Sequence, residues 1–238
     1  MQYRDVGIIF KIKNYGEKSS IIKLITKNNG ICQGFVKSAK SAKARSLYQI
    51  GNNISFEYRA RDEDSLGSFY SVDLIEANCS KIIFEKTKID CARSLFALID
   101  IAFLENDHHK ELHEEVHKFL TEINIINETN LILAKYIWLE LKILEILGYG
   151  INTAYCAVTN SKDNLAFISP KTGRAVTLAV GKPYQDKLLR LPNFNKQQIT
   201  NQDISEGLKL SGHFLDKYVI KDNSFYHQIR QNLENSLV

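Results

Sequence analysis

Between positions 37 and 61 the chain carries Lys37, Lys40, Lys43, Arg45, Arg59 and Arg61 against one acid, Glu57. Cations at that density suit one kind of chemistry: they hold a polyanion phosphate by phosphate, with no bond made or broken. Lys11, Lys13 and Lys23 extend the charge toward the start of the chain. Tyr48 lies inside the cluster and offers a ring on which an unpaired base can stack; Tyr3, Tyr15 and Phe35 are close in sequence. Residues 1–61 hold 12 Lys/Arg and 3 Asp/Glu, a net of +9, whereas the remainder nets −5. The imbalance implies that the N-terminal part faces an anion and the rest does not.

A second constellation points to different chemistry. His113-Glu114-Glu115-Val116-His117 fits H-E-x-x-H, which on a helix sets two imidazoles on one face with Glu114 as a possible base for a zinc hydrolase. His109 extends the stripe by a turn. The segment is crowded with Asp107, Lys110, Glu111, Glu115 and Lys118, which reads as a solvated face, and no third ligand is evident downstream. The four cysteines, Cys32, Cys79, Cys91 and Cys156, form no C-x-x-C pair. There is no phosphate-cradling G-x-x-x-x-G-K-[ST] loop and no G-x-S-x-G elbow. The expectation is a non-enzyme with no catalytic residue, no metal and no cofactor.

The elements that must position the basic cluster are strands. Over 6–12, Val6, Ile8, Phe10 and Ile12 fall on one face of a strand with Lys11 and Lys13 on the other, and a second strand spans 19–27. Asn28-Asn29-Gly30 is a hairpin signal leading to a third strand at 31–37, where Gly34 marks a bulge or bend. The basic segment follows as a loop. A fourth strand covers 54–61, with Tyr58 facing inward, and a fifth covers 67–75, with Tyr70, Val72 and Leu74 on one side. Five strands in under 80 residues, with a long excursion between the third and fourth, fit a small closed barrel. The OB-fold leads and an SH3-like barrel is the alternative.

From about residue 89 the period becomes helical. Ala92, Phe96, Ile99 and Phe103 form one apolar face and Leu112, Val116, Leu120 and Ile123 another. The segment 131–147 is apolar nearly all round, so it is read as a central helix with Trp138 in the core and a stop at Gly148. Its charges, Lys135, Glu140, Lys142 and Glu145, argue against a membrane span. An irregular hairpin is expected over about 152–182, then helices at 203–221 and 224–237. The fold class is therefore mixed α+β: an N-terminal five-stranded OB-fold barrel at 1–79, then a mainly helical domain at 80–238 carrying the hairpin. With no signal-peptide pattern at its start, the chain is expected to be cytoplasmic, with reduced thiols.

Several segments in the right order resemble the bacterial recombination mediator family RecO. They are Tyr3-Arg4-Asp5-Val6-Gly7-Ile8-Ile9, Asn14-Tyr15-Gly16-Glu17-Lys18-Ser19, Gly34-Phe35-Val36-Lys37, Gly51, Ala60-Arg61 and Leu66-Gly67. Further on come Trp138-Leu139-Glu140, Leu147-Gly148-Tyr149-Gly150, Cys156-Ala157-Val158-Thr159 and Ser169-Pro170-Lys171-Thr172-Gly173-Arg174-Ala175-Val176. The resemblance implies an OB-fold followed by a helical domain. It implies binding of single- and double-stranded DNA, annealing of complementary strands, and help in loading recombinase onto strands coated by single-strand binding protein. RecR and single-strand binding protein are the implied partners, and the nucleoid the implied location. Many members carry a four-cysteine zinc site near the hairpin; here Cys156 stands alone and Thr159 replaces a C-x-x-C partner, so no structural zinc is expected. Ile50 stands where a proline is common. An RNA-binding adaptor on the same barrel is a further reading, since charge does not tell DNA from RNA.

Overall fold

Alternating apolar residues build the first third of the chain into a closed barrel. The structure is a computed structural model, which describes residues 1–37, 39–62, 65–105, 107–194, 198–221 and 223–235, with only the backbone of Ala42 and Lys43. The strands are β1 (Gln2–Tyr15), β2 (Ser19–Thr26), β3 (Ile31–Val36), β4 (Asn52–Arg59) and β5 (Gly67–Ala77). They close in the order β1-β2-β3-β5-β4 and back to β1, which fits the OB-fold. The chain divides into two compact units, Met1–Ile125 and Ile126–Val238.

Strand β1 begins earlier than its apolar pattern suggests because it serves two partners. Gln2 to Ile8 pair with β4, Gly7 to Tyr15 pair with β2, and the register shifts between Ile9 and Lys11. The first half is polar (Gln2, Arg4, Asp5), so alternation does not reveal it. Inside the barrel Ile9, Ile22, Leu24, Val36, Ile54, Phe56, Tyr58 and Phe69 form the core. Each such side chain contributes about 1.5–3 kcal/mol on burial.

The barrel closes where β3 meets β5 in parallel, Gly34 opposite Gly67. Gly34 marks neither bulge nor bend: a Cβ there would come within 2.6 Å of the Phe69 ring, so the glycine makes room for the core. At Gly67 a Cβ would meet Tyr58 Cζ at 2.3 Å. The Tyr58 hydroxyl accepts from Gly67 N at 2.9 Å and donates to Gln33 O at 3.1 Å, bolting the seam from inside. In β5 the alternation breaks at Ser71, whose φ is +45°. Tyr70 and Leu74 are exposed, while Val72 is half-buried against the core.

Between β3 and β4 the basic segment holds one helical turn, α1 (Ala42–Arg45), capped by Ser41. After the barrel come α2 (Lys86–Ala102) and α3 (Lys110–Ile125). Both present the expected apolar faces inward, with Phe96, Ile99, Val116 and Ile123 buried.

The second unit is built on α4 (Thr129–Ile146), which packs against α6 (Asn201–Leu215). Its Trp138 is not in the core: it is 54% exposed, on the stripe it shares with Lys142 and Glu145. It lies edge-on to Phe194 at the rim of a pocket of about 230 Å³. The expected hairpin is β6 (Leu165–Ile168) with β7 (Ala175–Thr177). The helix α5 (Leu178–Gly181) and a third strand, β8 (Leu189–Arg190), follow; β8 pairs with β6. The last helix is α7 (Ser224–Asn235).

A buried polar knot ties α4, α6 and α7. Fully buried Glu140 accepts from Tyr136 Oη at 2.8 Å, Tyr226 Oη at 3.0 Å and Ser211 Oγ at 2.5 Å. Arg230 grips both carboxylate oxygens, Nε at 3.0 Å and Nη2 at 3.1 Å. Burial alone would raise the Glu140 carboxyl, but the charge and hydrogen bonds of Arg230, then Ser211 and Tyr136, outweigh it and hold it below the usual range. No helix among the described residues is long and apolar enough to cross a membrane.

Candidate nucleic-acid interface

The strand registers assemble the basic residues into rows that composition does not reveal. One row crosses the barrel from Lys13 on β1 to Ile21, Phe35, Ser68 and Arg59 on successive strands. A parallel row runs Lys11, Lys23, Gln33. Paired residues point to the same side of a sheet, so both rows lie on the outer face. Tyr15 packs edge-on to Phe35, centroids 5.7 Å apart, and is 60% exposed.

The excursion after β3 lies against the β1–β2 turn. Lys40 N donates to Lys18 O at 3.3 Å and Lys40 Nζ to Gly16 O at 3.0 Å. Arg45 Nε donates to Lys40 O at 3.1 Å. These bonds gather Lys18, Lys40 and Arg45 at the barrel end where Lys13 and Lys37 also stand, with Glu17 as the acid in the turn. Lys13, Lys37, Arg45 and Arg61 are exposed and enter no described ion pair. The side chain of Lys43 lies outside the described residues.

Three of the expected cations are partly neutralised. Lys11 and Lys23 sit opposite one another, a like-charge pairing that would destabilise the sheet. Asp100 on α2 relieves it, taking Lys11 Nζ on one oxygen and Lys23 Nζ on the other at 3.1 Å. Burial pushes the Asp100 carboxyl up, but the lysine hydrogen bonds and charges outweigh it and hold it below the ordinary range. Arg59 Nε donates to Glu57 at 2.6 Å, and its guanidinium lies 4.8 Å over the Tyr70 ring. That hydrogen bond holds the Glu57 carboxyl below its usual range; burial opposes it and the charges of Arg59 and Arg4 reinforce it.

Tyr48 is half-buried against the barrel core, and burial raises its phenol. Tyr15 is the open ring beside the cations. Its exposure follows from its place at the β1–β2 turn, a signal the sequence carried in Tyr15-Gly16-Glu17. Elsewhere on the barrel, Arg4 and Lys27 share an open cleft of about 710 Å³ with Asp5, Glu57 and Asp73. Mixed charge there leaves the β1–β2–β3 side as the basic one.

The two H-E-x-x-H histidines stack, ring centroids 6.1 Å apart and planes within 5°, but their surroundings differ and no third ligand joins them among the described residues. His113 is buried rather than solvated, on the face of α3 that packs against β1 and β2. Burial, then the neighbouring His117, lowers it to about 4, so it is neutral. His117 turns to Glu76, Nε2 to Oε2 3.2 Å, and Glu114 points to solvent. No three His, Cys, Asp or Glu among the described residues are grouped to hold an ion. Cys156 is buried in a turn, and its Sγ accepts from Thr159 N at 3.4 Å. With one sulfur in the second unit, the residues do not fit a four-cysteine zinc site.

Comparison with known proteins shows what the whole chain is similar to. The family model for the recombination protein O N terminus matches residues 1–78, and that for the recombination protein O C terminus matches residues 87–223. A protein of Orientia tsutsugamushi (strain Ikeda) named DNA repair protein RecO is 35% identical over 224 residues, covering 92% of this chain and 91% of its own. The Rickettsia canadensis (strain McKiel) protein of that name is 36% identical, covering 94% and 91%. The Wolbachia pipientis counterpart is 32% identical, covering 97% of both.

Proposed function

The chain belongs to the recombination protein O family of DNA repair proteins, and from that premise we propose that it is a recombination mediator whose barrel, residues 1–79, binds single- and double-stranded DNA. In this reading it anneals complementary strands in the cytoplasm, at the nucleoid, and with RecR helps load recombinase onto DNA coated by single-strand binding protein.

The observation that carries the reading is the junction of the β1–β2 turn with the 37–51 excursion, held by the Lys40–Gly16 hydrogen bond. It gathers Lys18, Lys40 and Arg45 at the barrel end where Lys13, Lys37 and the open ring of Tyr15 also stand. Phosphates fit the cations with little regard to sequence, and an unpaired base fits the ring. Annealing then needs no catalytic group: neutralised strands approach and base pairing completes the reaction. Lys43, Tyr48, Arg59 and Arg61 remain in the proposed contact set; Lys11 and Lys23 contribute what Asp100 leaves.

The test is the salt dependence of binding. Changing Lys37, Lys40 and Arg45 together to Ala should flatten the log–log salt slope by about 2–3, using ~0.7–0.9 per phosphate contact. Annealing of DNA coated with single-strand binding protein should slow in parallel. An unchanged slope would remove the junction from the DNA contact.

A further inference from the structure

A second set of rings in the C-terminal unit remains unexplained by packing. Gly148, at φ +83°, ends α4 by turning the chain so that Tyr149 N bonds Leu144 O at 2.7 Å. The Tyr149 ring then stacks on Tyr218, centroids 4.5 Å apart and planes within 3°. Tyr218 continues onto Phe214, centroids 6.3 Å apart and planes within 9°. Phe214 is buried and anchors the ladder, while Tyr149 at its outer end is 44% exposed.

The backbone departs from regular helix to build this. After α6 the chain makes a π-helical turn, Asp216–Ile220, and leaves it through Lys221 at φ +50°. Such turns recur at functional sites; this one contains both Lys217 and Tyr218.

Positive charge surrounds the ladder. Lys217 Nζ lies 4.9 Å from the Tyr218 ring centroid and donates to Pro170 O and Lys171 O, each at 3.0 Å. These bonds draw the 169–174 turn to α6, and His213 Nε2, 3.2 Å from Pro170 O, joins them. Asn152 N bonds Gly173 O at 2.8 Å, which holds the same turn beside the segment that follows Tyr149. Lys171 and Arg174 are exposed on it and enter no ion pair among the described residues. Of the neighbouring acids, Glu145 pairs with Lys142 at 3.2 Å, and Asp216, beside Lys217, is exposed with His227 Nε2 3.7 Å away.

We propose that the Tyr149–Tyr218–Phe214 ladder with Lys171, Arg174 and Lys217 is a second contact for single-stranded nucleic acid. One unpaired base extends the stack on the open side of Tyr149, and the flanking phosphates lie along the cationic turn. A stacked base needs no defined sequence, because every base has a π-face. The inference rests on the DNA-binding reading of the barrel and adds a site in the other unit.

The experiment titrates the full-length chain with a dT oligonucleotide and with a matched duplex, at several salt concentrations. Tyr149→Leu should weaken binding to the single strand by about 5- to 150-fold without changing its salt slope, and should leave duplex binding intact. Tyr149→Phe should bind as wild type. Lys171→Ala with Arg174→Ala should flatten the single-strand slope by about 1.4. Wild-type affinity in Tyr149→Leu, or an equal loss on duplex, would overturn the ladder as a base site. Those results leave the barrel reading standing if the Lys37, Lys40 and Arg45 triple variant still loses slope. Absence of DNA binding by the wild type would overturn both.

Discussion

Asp100→Asn should make the protein bind DNA more tightly, although it only neutralises one carboxylate on a helix outside the sheet. In the folded chain one carboxylate takes the ammonium groups of both Lys11 and Lys23. Removing its charge frees two cations on the outer face of β1 and β2. If both reach phosphate, the log–log salt slope steepens by about 1.4 for a single strand and about 1.8 for duplex. Across a salt range of about 50 to 200 mM, that slope difference changes relative affinity by roughly 7- to 12-fold. The cost to the fold is small, about 0–1 kcal/mol for each partly exposed pair, plus the restored repulsion between the two lysines. Fluorescence anisotropy with labelled oligonucleotides at four or five salt concentrations reads the effect. Adding Lys11→Ala and Lys23→Ala to the Asn variant should cancel that gain, taking the slope to the wild-type value or below it. An Asn variant with unchanged slope and intact fold would mean that the β1–β2 face does not meet DNA, and weaker binding would contradict the charge argument outright.

Other outcomes follow from the knot and the seam. Arg230→Met strands the Glu140 carboxylate in a dry site and should cost about 3–5 kcal/mol in urea unfolding; a cost below ~1 kcal/mol would mean that water reaches the knot. The depressed folded pKa of Glu140 means that its stabilisation is present above the ordinary glutamate value of about 4.3 and is lost as pH falls through the folded value. Glu140→Gln should therefore unfold at neutral pH more easily than wild type and show a flatter loss of stability in acid; parallel acid titrations of the two proteins would refute this. Gly67→Ala sets a methyl 2.3 Å from Tyr58 Cζ and 2.7 Å from Arg59 O, and should destabilise the barrel by about 1–3 kcal/mol, read as a lower midpoint on chemical denaturation.

The barrel was legible because its core strands alternate, and the helices because their apolar stripes are long. What escaped was set by partners distant in sequence. The first half of β1 is polar and declares itself only through β4. Gly34 looked like a bend because nothing in its neighbourhood announces Phe69. Trp138 looked like core because its helix is apolar on several faces, yet it falls on the stripe of Lys142 and Glu145. In the candidate site the cations were visible as a cluster, but their neutralisation was not: Asp100 lies 77 residues beyond Lys23. Tyr48 lay within the run of charge, whereas exposure singles out Tyr15, at a turn before that run. The histidine motif had the right spacing on a helix, but His113 packs inward, and spacing alone does not say which side of a helix meets water.

The ring order of the barrel also sets a timetable for synthesis. Strand β1 can pair with β2 as soon as the first 26 residues are free, but its other edge waits for β4, and the seam waits for β5. At roughly 5–20 residues per second, that edge stays open for several seconds while the 37–51 excursion emerges. An open edge is a template for pairing with another nascent chain. The excess of +9 over residues 1–61 falls within that window, so repulsion between like-charged nascent chains opposes such pairing.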